Sequence, residues 1–183
     1  TTCGMRPEQA LLDAAREWKV GLGFQEVLTY TLTNPENLFS QMNVKKGKVV
    51  ELANPKVQTM TCLRNWLLPS LMEFLASNLS VEYPQRIFEM GKVTLLDEKR
   101  ETGTRDEDWL AAVVSHANAG FSEIRSHLDA FFMNLGLKWH IKETKHPSFI
   151  EGRAGTAIVN GTDVGILGEI HPQILTRWKL ENP

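Results

Sequence analysis

Gly165-Ile166-Leu167-Gly168-Glu169-Ile170-His171-Pro172-Gln173-Ile174-Leu175 reads as a strand that ends at His171-Pro172 and turns at once into a helix. Immediately before it, Thr156-Ala157-Ile158-Val159-Asn160-Gly161-Thr162-Asp163-Val164 carries a hairpin signal. Asn-Gly suits a type I′ turn, because both central residues need φ > 0. Further upstream stands His146-Pro147-Ser148-Phe149-Ile150-Glu151-Gly152-Arg153. The order is therefore His-Pro, Gly-Arg, Asn-Gly hairpin, Gly-Glu-Ile-His-Pro, helix. Strands joined directly by hairpins and mixed with helices specify an α+β domain. Its sheet is expected to be mainly antiparallel and flanked by helices, not doubly wound and parallel.

Working outward, Pro7 to Val20 has Leu11, Ala15, Trp18 and Leu22 at helical spacing, with Leu12 beside them. Pro7 fits the first helical position and Gly21 and Gly23 suit its end. Phe24 to Leu32 alternates, placing Phe24, Leu28, Tyr30 and Leu32 with Glu26 on one side, which predicts a continuous strand. Asn34-Pro35 opens a short helix through about Met42. Lys45-Lys46-Gly47-Lys48 reads as a solvated hairpin tip rather than a nucleic-acid contact, between that helix and a short strand from Val49 to Leu52. Gln58 to Arg64 is extended. Pro69 to about Ser80 is a helix with Leu68, Leu71, Met72, Leu75 and Leu79 on one face, where Met72 fills the core. Gln85 to Leu95 is a strand. Asp97 to Asp108, charged and glycine-containing, reads as an exposed loop. Trp109 to His116 has the composition of a buried strand. Phe121 to Leu135 is a helix with Phe121, Ile124, Leu128, Phe131, Phe132 and Leu135 inside, capped by Gly136. Trp139-His140-Ile141 is a short strand, and Pro172 to Lys179 a short closing helix.

The 183 residues suit one domain with one core. With 42% hydrophobic and 23% charged residues the composition is that of a globular protein. A net charge of -2 gives no global field toward nucleic acid. Cys3 and Cys62 are too few for a disulfide framework and fit no metal motif, which favours a reducing cytosol. The sequence carries no signal-peptide pattern and no apolar run of bilayer length. Thr1-Thr2-Cys3-Gly4-Met5-Arg6 reads as a lead-in from something upstream.

No metal, catalytic or cofactor-binding residue is expected. His116, His127, His140, His146 and His171 form no HExxH pattern and no cysteine pair lies near them at ligand spacing. His146 and His171 each precede a proline, which favours a role in turns. Gly161, Gly165 and Gly168 match neither a Walker A loop nor a dinucleotide fingerprint. Gly-x-Ser-x-Gly is absent, and Ser148 beside His146 has no evident acid, so that pair reads as structural.

Taken in order, these motifs resemble the archaeal or eukaryotic-type β subunit of phenylalanyl-tRNA synthetase, in its catalytic-like domain of class II synthetase fold. Gly21-Leu22-Gly23-Phe24-Gln25-Glu26-Val27 and Leu63-Arg64 with Leu67-Leu68-Pro69-Ser70-Leu71 share in the resemblance, which covers nearly the whole chain. It implies that the first helix and strand are similar to motif 1, the dimer-forming element. Arg86-Ile87-Phe88-Glu89-Met90-Gly91-Lys92-Val93 resembles the first strand of motif 2. Active relatives of this class carry Phe-Arg-x-Glu there, with the arginine on the ATP α-phosphate. Aligned on Phe88, Gly91 and Val93, those positions hold Thr94, Leu95 and Asp97. Leucine cannot neutralise a phosphate or donate to it, and Lys92, Lys99 and Arg100 lie off the position. The resemblance therefore implies a non-catalytic domain, a fragment of a longer subunit. The implied whole enzyme joins phenylalanine to tRNA(Phe) using ATP and magnesium in the cytoplasm. Its active site belongs to the α subunit, which would pair with this domain in an (αβ)₂ heterotetramer. The rival readings are an active class II synthetase-like ATP-dependent ligase and a stand-alone binding module. Two further expectations concern structure: Arg153 acts structurally, for instance in a partly buried pair with a carboxylate such as Glu169 across the hairpin region, and the Pro7–Val20 helix, with Trp18, keeps part of its apolar stripe for a partner.

Overall fold

The computed structural model describes residues 7–183, with side chains described from Ala10 onward. Cys3 and the rest of the six-residue lead-in lie outside the described residues. Helix α1 (Pro7–Gly21) is closed by Gly23 at φ 82°, a left-handed position that glycine adopts without strain. The chain then enters β1 (Gln25–Glu26), which runs parallel to β4 (Gln85–Leu96) with Gln25 opposite Ile87. β4 pairs antiparallel with β5 (Thr104–Ser115) along its full length, giving the order β1-β4-β5. β2 (Leu32–Thr33) and β3 (Cys62–Leu63) form a separate antiparallel pair. The third sheet is β6 (Trp139–Glu143), β7 (Phe149–Val159) and β8 (Thr162–Ile170), antiparallel throughout. Asn160 and Gly161, at φ 51° and 78°, make the expected turn between β7 and β8. The α+β class holds, with antiparallel pairing everywhere except at β1.

Helices pack against these sheets. In α3 (Leu68–Ser77), Leu71, Met72 and Leu75 are at most 3% exposed and pack with Val27, Ile87, Ile174 and Trp178. Fully burying each such side chain contributes about 1.5–3 kcal/mol. Met72 is core, as expected. In α4 (Phe121–Asn134) the six apolar residues assigned to its inner side all join a second cluster with Ala157, Val159 and Leu167 of the third sheet. Gly136, at φ 68°, follows that helix. α5 (Pro172–Trp178) inserts Ile174 and Trp178 into the first cluster. α2 (Pro35–Leu38) is capped by Asn34, whose side chain accepts from the Asn37 N–H at 2.9 Å, and a 3-10 turn follows over Ser40–Met42.

Four expectations are corrected. Phe24 to Leu32 is not one strand: two-residue pieces, β1 and β2, flank an irregular segment. Phe24 and Val27 are buried whereas Leu28 and Tyr30 are 85% and 75% exposed. Tertiary partners break the alternation, because the Val27 N–H donates to Phe88 O while Thr31 O accepts from the Arg64 N–H. Asp97 to Asp108 is not all loop. Thr104 to Asp108 belongs to β5, held by Thr94 Oγ1 donating to Asp106 at 2.8 Å and by Lys92 against Asp108 at 3.2 Å. Trp109 to His116 continues that strand, but at one side of its sheet; Ser115 alone of the strand is buried, and Trp109 is 39% exposed. Val49 to Leu52 makes only the isolated bridge of Glu51 to Cys62.

Candidate functional site

The polar centre of the domain lies where Arg64, just after β3, meets β4. The Arg64 N–H donates to Thr31 O and its carbonyl accepts from the Thr94 N–H, both at 2.9 Å, so the backbone here is stitched between two segments. Its guanidinium is 2% exposed and meets Glu89, 0% exposed, at 2.8 Å. Further hydrogen bonds surround the pair. Arg64 Nη1 donates to Thr29 Oγ1 at 2.8 Å and Nε to Lys92 O at 3.0 Å; Thr29 Oγ1 donates to Glu89 Oε2 at 2.6 Å. A Cβ at Gly91 would stand 2.3 Å from Arg64 Nη2, so glycine is required for the guanidinium to lie on the strand. Sequence reasoning missed this centre. The signal was Glu89 itself, a carboxylate amid the apolar run Ile87-Phe88-Glu89-Met90.

Leu95 and Asp97 stand at the outer end of β4. Leu95 faces Arg105 across the ribbon, and the Arg105 guanidinium lies 2.9 Å from Glu107 and 3.8 Å from Asp97. Asp97 closes the turn: its side chain accepts from the Lys99 N–H at 3.1 Å and its N–H donates to Gly103 O at 2.9 Å. Lys92 faces Asp108, and Arg100 lies 3.9 Å from Asp97. Each of these side chains already serves the hairpin.

The two His-Pro stretches are matching turns. His146 Nδ1 accepts from the Ser148 N–H and His171 Nδ1 from the Gln173 N–H, each at 3.2 Å. The His171 N–H donates to Ser148 O at 2.9 Å, joining the two turns. Ser148 Oγ is buried and donates to Met42 O at 2.6 Å, so it is a structural hydroxyl. Arg153 pairs with Glu169 as expected, but Arg153 is 60% exposed and Glu169 only 17%. The other Glu169 oxygen accepts the Phe121 N–H at 2.9 Å and so caps α4, a role the sequence did not disclose. Burial works to raise the Glu169 pKa, but Arg153 and the Phe121 N–H hold it below the usual carboxylate value.

Around α4, Glu123 meets Arg86 at 3.1 Å and His116 at 2.6 Å, beside a shallow cavity of about 350 Å³ lined by those three with Tyr83, Pro84 and Ala117. Burial opposes the charge on Glu123, and His116 and Arg86 outweigh it, so its pKa is lowered. His127 lies 3.8 Å from the same carboxylate; desolvation first and then the Arg86 charge lower its pKa. On α1, Lys19 is 2% exposed, with its ammonium 4.7 Å from the Phe24 ring and 5.1 Å from Phe131; desolvation lowers its pKa to about 8. Trp18 packs edge-on against Phe131 at 6.5 Å. Burial, with Glu51 nearby, pushes the Cys62 thiol up to about 11, the mark of an inert sulfur. Among the described residues no group of three or more His, Cys, Asp or Glu side chains could hold a metal ion, and no helix is long and apolar enough to cross a membrane.

Against known proteins, residues 1–183 match the family model described as the phenylalanyl tRNA synthetase beta chain CLM domain. Similar relatives carry the name phenylalanine–tRNA ligase beta subunit. That of Pyrococcus horikoshii is 51% identical over 171 residues, covering 93% of this chain and 31% of the relative. That of Pyrococcus abyssi is 50% identical over the same coverage. That of Methanopyrus kandleri is 42% identical over 178 residues, 96% of this chain and 30% of the relative. The chain thus spans under a third of the length of the curated relatives it matches. With the full 183 residues matched, this chain belongs to the family of phenylalanyl tRNA synthetase beta chain CLM domains.

Proposed function

We propose that this chain is the catalytic-like, non-catalytic domain of a phenylalanine–tRNA ligase β subunit. It is a single domain of class II synthetase type, serving assembly with the α subunit in a cytoplasmic (αβ)₂ heterotetramer that charges tRNA(Phe). The observation that carries the reading is the state of β4. Where an active relative would present an arginine to the ATP phosphate, Leu95 stands. The opposing Arg105 is held by two carboxylates, and Asp97 is spent on a turn. On the inner half of the strand, Ile87, Glu89 and Val93 are at most 4% exposed, and Arg64 covers Gly91. These residues do not fit a triphosphate with its magnesium, and no step of ATP chemistry is assigned to them. ATP and magnesium belong with the α subunit.

The partner-facing element is the α1–β1 segment. Trp18 is partly covered by Phe131, and Leu11 and Val20, each 55% exposed, lie on opposite sides of α1, so the apolar surface left for a partner is centred on Leu28 and Tyr30, 85% and 75% exposed, just beyond β1. Large exposed apolar side chains concentrated in one segment mark an interface. Full-length β subunit co-expressed with α tests this. Co-purification and sedimentation at heterotetramer mass are expected, lost on Leu28→Asp with Tyr30→Asp while the β subunit's own melting is unchanged. A β subunit that never associates with α would make the chain a stand-alone module instead.

A further inference from the structure

The lysine loop is held in place by the core. Val44 and Val49, on either side of Lys45, Lys46 and Lys48, pack against the hydrophobic core, and the Val44 N–H donates to Phe39 O at 2.9 Å. The loop is thus pinned at both ends, and Lys45 to Lys48 between them are exposed, the solvated tip that the sequence suggests. To this loop the fold brings a fourth cation from more than a hundred residues away: Arg177 of α5 donates to Asn43 Oδ1 at 2.6 Å and to Ser40 O. Both acceptors are neutral, so its charge is not cancelled. Lys179 follows two residues later, exposed in a left-handed cap. A groove of about 230 Å³ beside the loop is lined by Glu36, Phe39 and Lys46.

Elsewhere the exposed arginines are neutralised locally. Arg16, Arg100, Arg105, Arg125 and Arg153 each face a carboxylate. None of Lys45, Lys46, Lys48 or Arg177 takes part in such a pair among the described residues. A chain of net charge -2 that leaves four cations uncancelled on one pinned surface has a local field for a polyanion. We propose that Lys45, Lys46, Lys48 and Arg177 form a docking surface for the phosphate backbone of tRNA. The inference rests on the reading of the chain as part of a tRNA ligase. Lysines on a surface without base-edge partners position a backbone and do not select sequence.

The test uses the assembled enzyme with full-length β subunit, fluorescent tRNA(Phe), and salt from 50 to 300 mM. Lys45→Ala with Lys46→Ala and Lys48→Ala should weaken binding and reduce the slope of log affinity against log salt by about 2, from the counterions three fewer phosphate contacts release. Phenylalanine-dependent ATP–pyrophosphate exchange should be unchanged, because that step needs no tRNA contact. Removing two unpaired lysines from β6 and its approach, Lys138→Ala with Lys142→Ala, should leave the slope as it was. An unchanged slope in the triple variant, or an equal fall in the control, overturns the proposal. So does lysine-dependent binding to anionic phosphatidylserine vesicles without any to tRNA. Loss of exchange in the unmodified assembly would instead overturn the ligase reading.

Discussion

Two arginine–glutamate pairs of this domain differ in what surrounds them. Arg153 and Glu169 face each other on β7 and β8, with Arg153 60% exposed. Arg64 and Glu89 are 2% and 0% exposed and share a hydroxyl, a backbone carbonyl and the bare face of a glycine. The first pair can exchange its partner for water, and the second cannot. Desolvated charges demand that every valence be met, and removal of one member leaves the other stranded. A strand that carries such a closed centre on one face, with Phe88 fully buried on the other, is a structural beam rather than the floor of a nucleotide pocket.

The largest effect should follow from breaking the buried pair. Glu89→Gln or Arg64→Met should each cost about 3–5 kcal/mol, read from urea unfolding. Combining Arg64→Met with Glu89→Leu should recover much of that loss, since a matched apolar pair strands no charge. If the double variant is as unstable as the sum of the singles, the network around Thr29 matters more than the pair.

Next comes Glu169→Ala, which removes both the cap on α4 and the ion pair, for about 1–2 kcal/mol. Its acid dependence has a definite sign. The folded pKa of Glu169 lies below the ordinary 4.5, so its contribution is complete above that value and fades as pH falls through the folded pKa. An acid melt of Glu169→Ala should lose less stability below pH 4.5 than the parent does.

Lys19 gives a third kind of charge, buried over two rings with no carboxylate partner among the described residues. Its folded pKa of about 8 lies below the ordinary 10.5, so the unfolded chain holds the proton more tightly. Stability should therefore rise as pH climbs from about 8 toward 10.5. Lys19→Met should abolish that rise and raise stability at pH 7 by about 1 kcal/mol, the desolvation cost being partly offset by the rings. Chemical denaturation across this pH range reads both.

Smallest is Arg153→Ala, at about 0.5 kcal/mol or less, because an exposed arginine contributes little to a pair. A loss above about 2 kcal/mol would mean that Arg153, and not the backbone capping by Glu169, holds the third sheet to α4.

What was legible in the sequence was local. The Asn160-Gly161 turn, the Asn34 cap, the His-Pro turns and the inner face of α4 depend on neighbours within a few residues. The Arg153–Glu169 pairing was readable because a tight hairpin fixes which residues oppose each other. The Arg64–Glu89 pair joins segments 25 residues apart with a helix between them, and no period carries that information. The outer β4–β5 ribbon was misread for a different reason. Its charges look like loop composition, yet across the strands Thr94 meets Asp106 and Lys92 meets Asp108, so the same residues that suggested solvent hold the ladder.

The central claim is that β4 supports the fold and does not perform chemistry. It is tested most directly by phenylalanine-dependent ATP–pyrophosphate exchange with purified full-length β subunit in the absence of α. No exchange above background is predicted. Measurable exchange that disappears on substitution of Arg105 or Asp97 would contradict the account.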